Sequence, residues 1–165
     1  IDPNRPAVIT IGKIIGGTAR NIIPDTCSMF GTVRYIDKSL EDFIPARISE
    51  IASGIARSMR AEATLDYVRI NPPVANDPQA TSLLAQAAAK IVGPDGVKTI
   101  EPTMGAEDMA WYFEEIPGSY FSLGSRNPDK GIVFPNHHSK FDIDERALSI
   151  GASVFVQLCL DYLGS

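Results

Sequence analysis

Only two cysteines, two histidines and one tryptophan occur among the 165 residues. Cys27 and Cys159 stand far apart in unlike contexts, and no cysteine pair has metal-ligand spacing. A disulfide scaffold and a cysteine-built zinc site are therefore excluded, and both thiols are expected to be buried. Positive charge is also scarce: 15 Lys and Arg face 20 Asp and Glu, a formal charge of −5. With those cations scattered, no basic stripe exists to neutralise phosphates, so neither nucleic acid nor a membrane surface is an expected partner. Long apolar runs are lacking as well. The nearest, Ala147 to Leu163, is broken by Ser149, Gln157 and Asp161, and reads as a helix buried on more than one side. No repeat or low-complexity tract occurs. The opening Ile1-Asp2-Pro3-Asn4-Arg5-Pro6 has no signal-peptide pattern and reads as a linker inside a longer protein. With no targeting signal and no paired cysteines, a cytoplasmic location is the expectation.

What is present is ordinary globular composition, 44% apolar and 21% charged, enough to bury a core without staples. Ala7–Ile15 and Cys27–Ile36 alternate in the manner of antiparallel strands joined by a long loop. Ser39 with Asp42 reads as a helix cap, and Leu40, Ile44, Ile48, Ile51, Ile55 and Met59 recur at helical spacing, a face that predicts packing on a sheet. Pro45 either kinks this helix or marks its true first turn after a short prelude. Ala61–Ile70 alternates as a third strand, and the Pro-rich stretch from Asn71 to Pro78 is the expected domain boundary. Beyond it, Asp77 or Asn76 caps a helix stopped by Gly93-Pro94. Short strands are expected near Val97–Ile100 and Tyr120–Gly124, with a short helix over Glu107–Glu114 between them. Asp144 is expected to cap the final helix.

Four polar segments are candidates for chemistry. Gly16-Gly17-Thr18-Ala19-Arg20-Asn21-Ile22-Ile23-Pro24-Asp25 combines a permissive backbone with an amide that both donates and accepts, though a glycine-rich turn would look the same. In Gly31-Thr32-Val33-Arg34 a guanidinium inside a strand could fork onto a carboxylate or simply face solvent. The turn Pro102-Thr103-Met104-Gly105-Ala106 runs into Glu107 and Asp108. Its amides could hold a substrate oxygen, or the acids could merely complement a helix dipole. Pro135-Asn136-His137-His138-Ser139-Lys140-Phe141-Asp142 holds both imidazoles, and two adjacent rings do not normally face one site.

In this order the segments resemble the metal-dependent amidohydrolases and carboxypeptidases that include hippurate hydrolase, aminoacylase, carboxypeptidase G and the plant auxin-conjugate hydrolases. The resemblance implies an α/β protein: residues 1–72 as an α+β lid or dimerisation domain with an antiparallel sheet, its first strand and helix absent, and 77–165 as the C-terminal segment of an α/β zinc-peptidase-like catalytic domain. It implies hydrolysis of N-acyl amino acids by a metal-activated water at two divalent ions, zinc or else Mn, Co or Ni. By resemblance His137 is a metal ligand and His138 occupies a variable position. Asn21 approaches the reacting carbonyl oxygen and Arg34 holds the substrate carboxylate. Thr103, Met104, Gly105 and Ala106 form a substrate-contacting loop, and Asp108 lies behind the metal ligands. The family's N-terminal catalytic segment has no counterpart among these residues. The chain alone is therefore expected to be inactive, a homodimer through its lid, with that segment as a further partner. The alternative is a non-catalytic dimerisation or amino-acid-carboxylate-binding module.

Overall fold

The computed structural model describes residues 5–164. They divide into two units: one runs to Val74 and takes in Pro102–Ala110, the other comprises Ala75–Glu101 and the chain from Trp111 onward. Helices and one small antiparallel sheet make this a mixed α/β fold.

In the first unit, β-branched runs form β1 (Ala7–Gly16) and β2 (Cys27–Tyr35), a two-stranded antiparallel pair. Register shifts at a bulge between Ile11 and Lys13. Opposite the bulge only glycine fits at position 31, because a Cβ there would lie 2.4 Å from the Thr10 carbonyl oxygen. Strand alternation puts Ile9, Ile11, Ile14, Met29, Val33 and Tyr35 on one face, and Thr10, Lys13, Phe30, Thr32 and Arg34 on the other. The apolar face is open: Ile9, Ile11, Ile14 and Met29 are all exposed. Cys27 is exposed too, contrary to expectation, because it ends this uncovered face.

The expected cap at Ser39 is one turn displaced. Asp37 accepts a hydrogen bond from the Ser39 amide at 2.9 Å and opens a 3-10 turn over Lys38–Leu40, whereas α1 begins at Phe43 and runs to Ser58. Pro45 thus sits in the first turn of α1, where a missing N–H costs nothing. Hydrogen bonds from Ser39, then the Arg5 guanidinium at 2.6 Å, hold the Asp37 carboxyl down to about 2. Leu40 and Ile44 are buried, but Ile51, Ile55 and Met59 are exposed. The predicted packing of this helix face on the sheet is therefore not observed. Residues 61–70 form no strand, because β1 and β2 pair only with each other. The stretch keeps its alternation, with Ala63, Tyr67 and Arg69 half-buried, and an Arg69–Glu41 ion pair ties it to the start of α1. Burial raises the Tyr35 and Tyr67 hydroxyls above their ordinary range.

In the second unit the Asp77 side chain accepts from the Ala80 amide at 2.8 Å and caps α2 (Pro78–Val92), while the Asn76 amide clamps both backbone groups of Tyr120 at 2.8 Å. Gly93, with φ of 77°, ends α2 as expected. A short α3 (Met109–Glu115), of which Trp111–Glu115 belong to this unit, leads to Gly118, where a Cβ would lie 2.2 Å from the Phe113 ring. The strands expected near Val97–Ile100 and Tyr120–Gly124 do not form: neither stretch joins the sheet of β1 and β2. Helix α4 (Arg146–Leu163) packs against α2 with Ala147, Gly151 and Val154 buried. Those residues repeat at i, i+4 and i+7, a single stripe, and the expected burial on more than one side fails: Leu148, Phe155, Val156, Leu160 and Leu163 are exposed. By length and hydropathy alone α4 could cross a membrane. Cys159, on its uncovered side, is exposed rather than buried.

Candidate functional site

Two kinds of charged residue can be told apart by what they touch. Some fixed charges are spoken for. Asp144, 6% exposed, receives Arg146 at 2.7 Å, Lys130 at 3.0 Å and the Asn127 amide at 2.5 Å. Its carboxyl is held well below the usual carboxylate range, by Arg146 first and by Asn127 and Lys130 after it. It also accepts from the Arg146 amide at 3.3 Å, so Asp144 reaches the start of α4 from two residues before the helix, while Glu145, directly before it, makes no side-chain cap bond. Lys90 and Asp161 join α2 to α4 at 2.5 Å, and that contact lowers the Asp161 carboxyl.

The residues singled out for chemistry are different. Asn21 lies exposed in the ten-residue loop that joins the strands, after Gly17 turns the chain with φ of 80°. Arg34 is exposed and pairs in register with Val8, near the end of the ladder remote from that loop. Seven residue steps separate it from Cys27, roughly 23 Å of strand. Asn21 and Arg34 thus stand at opposite ends of one hairpin, and neither side chain has a partner among the described residues. Thr103, Gly105 and Ala106 are exposed, Met104 is half-buried, and Thr103 Oγ1 approaches Gly105. Exposed Asp108 contributes its backbone amide to Glu107 Oε1 at 3.1 Å.

The histidine turn is the most structured of the four segments. The Pro135 carbonyl accepts from the His138 amide at 3.1 Å, which closes a four-residue turn with His137 at its third position and φ of 66°. That is type II geometry, where glycine or asparagine is usual, and a histidine there carries about 1–3 kcal/mol of backbone strain. Such strain persists only where neighbours over-determine the conformation, and functional sites are where it collects. The His137 ring is exposed and has no partner among the described residues. The His138 ring is engaged: it stacks on Phe134 with centroids 4.3 Å apart, and its Nδ1 accepts from the Lys140 amide at 3.0 Å. The Lys140 ammonium lies 5.7 Å from the Phe134 ring centre. Nothing in the sequence signalled this clamp, because a stack four residues apart belongs to a turn and not to a periodic element.

A free imidazole fits a divalent ion as one donor. It does not make a centre: a catalytic zinc takes three protein ligands, and among the described residues no group of three or more His, Cys, Asp or Glu side chains could hold a metal.

Comparison with known proteins decides the ancestry. Residues 2–161 match the model of peptidase family M20/M25/M40. The chain belongs to this family. This M20 chain is 35% identical over 163 residues to thermostable carboxypeptidase 1 of Saccharolobus solfataricus, covering 98% of itself and 41% of that protein. It is 33% identical over 156 residues to N-acetylcysteine deacetylase of Bacillus subtilis, covering 93% and 39%. A dinuclear metal binding peptidase of family M20 from Bacillus subtilis superposes with a TM-score of 0.84 at 32% identity, covering 96% of this chain and 42% of that one. The chain thus spans about two fifths of the length of the relatives it matches.

Proposed function

We propose that this M20 chain supplies the substrate-holding and part of the metal-holding residues of an enzyme that hydrolyses the amide bond of N-acyl amino acids. The names of its relatives, a carboxypeptidase and an N-acetylcysteine deacetylase, support cleavage beside an amino acid that keeps a free carboxylate. Arg34, uncommitted on the polar face of the hairpin, is the fork for that carboxylate. Asn21 donates its amide N–H to the carbonyl oxygen as that oxygen gains charge, which requires its ten-residue loop to fold back along the hairpin toward Arg34, and the Thr103, Met104, Gly105 and Ala106 turn lines the acyl side. His137 lends one ring nitrogen to a divalent ion, with Asp108 behind the ligands. A divalent ion, when bound, supplies Lewis acidity and lowers the pKa of water.

The observation that carries this reading is the asymmetry of the histidine turn: one ring is free and held in a strained backbone position, and the other is tied down. Since one donor does not build a centre, the 165-residue chain alone is inactive. Incubating it with N-acetyl and N-benzoyl amino acids and zinc tests this. No release of amino acid is expected, and turnover by the purified chain overturns it.

The second reading, a non-catalytic module that dimerises through the hairpin unit, draws on the open apolar face of Ile9, Ile11, Ile14 and Met29. Sedimentation of the chain at micromolar concentration tests it, and a monomer removes it.

A further inference from the structure

The turn that carries His137 is held almost wholly by its neighbour. Of the contacts that knit residues 134–141, the His138 amide donates to Pro135, the His138 carbonyl accepts from the Phe141 amide at 2.9 Å, the His138 Nδ1 accepts from Lys140, and the His138 ring lies on Phe134. His137 contributes only its amide, to Asn136 Oδ1 at 3.0 Å. The left-handed backbone of His137 is thus imposed from one position further on. Two of those four contacts depend on the side chain of residue 138, the acceptor nitrogen and the stacking face. An acceptor on the γ position reaching the amide two residues ahead is the geometry of an Asx turn, in which asparagine could stand for the imidazole.

We infer that His138 is a positioning residue for His137: its ring, clamped between the Phe134 face and the Lys140 amide, keeps His137 left-handed and its imidazole free of the protein. The inference deepens the proposed function, on which its importance for metal binding rests, but the geometric part stands by itself. The phenylalanine supplies the wall and the lysine amide fixes the tilt, so the neutral His138 ring carries its proton on Nε2.

The test is NMR of the isotope-labelled 165-residue chain. A left-handed residue gives an unusually strong intraresidue amide-to-Hα cross-peak, and His137 is expected to show it, with His138 nitrogen shifts of the Nε2–H form. His138→Ala should lower the left-handed population of His137 relative to other conformers by roughly tenfold. His138→Asn, which restores an acceptor for the Lys140 amide, should recover most of it. Phe134→Leu, which removes the wall and keeps the acceptor, should fall between. Residue 138 is exposed, so these variants leave the helices intact. An unchanged His137 cross-peak in His138→Ala overturns the inference, as does an asparagine variant no better than alanine. These outcomes are separable from the fate of the functional reading, since loss of metal binding in a His137 variant concerns only the latter.

Discussion

The two units bury their apolar residues in contrasting ways. In the second, α2 and α4 close on each other: Leu84, Ala87, Ala147 and Val154 are buried, and the Lys90–Asp161 pair latches the seam. In the first, Leu40 and Ile44 are covered while much of a sheet face, at Ile9, Ile11, Ile14 and Met29, and most of one side of α1 stand open. Side chains in closed regions have settled partners. Those left open, together with the free polar groups Asn21 and Arg34, are what an external surface or substrate would use, which is why an uncovered apolar patch carries meaning.

The contrast can be broken most strongly at the closed seam. Leu84→Ala removes a buried side chain between two helices and is expected to cost about 2–5 kcal/mol in denaturant unfolding; a loss under ~1 kcal/mol means that α2 and α4 are not a packed core. Next in size is Arg34→Ala. In the full-length protein it should raise KM and lower kcat/KM by about 1.5–3 kcal/mol of transition-state stabilisation, with little effect on melting. Unchanged efficiency removes the carboxylate assignment.

Acid sharpens the comparison further. Because the Asp37 carboxyl titrates lower folded than unfolded, from 3.8 to about 2, its contribution to stability is complete above pH 4 and fades as pH falls toward 2. Asp37→Asn should flatten that part of the pH–stability curve, and a parallel curve denies the contact with Ser39 and Arg5. Smallest of all is Ile55→Ser on the open side of α1, expected within about 0.5 kcal/mol for a monomer. A cost above ~2 kcal/mol shows that the face is covered in solution.

How much of this was legible beforehand follows the same line. Elements fixed by local chemistry were readable: the alternation of β1 and β2, a cap at Asn76 or Asp77 and the Gly93-Pro94 stop, whereas the place of Pro45, open between a kink and a first turn, was decided only by the structure. Features that depend on what lies opposite were not. Alternation over Ala61–Ile70 describes a chain ready to pair, but a ladder also needs a neighbour. An apolar α4 and two cysteines looked interior because hydropathy records preference and not cover. Of the candidate site, the separation of the two histidines into one free and one engaged ring came from turn geometry that single-residue chemistry does not encode.

The central claim is that His137, and not His138, is the ring this chain lends to a metal. Metal content of the full-length protein after dialysis, measured for His137→Ala and His138→Ala side by side, tests it most directly. Loss of bound metal is expected in the first, and retention with weakened affinity in the second. Equal retention, or loss in the His138 variant alone, contradicts it.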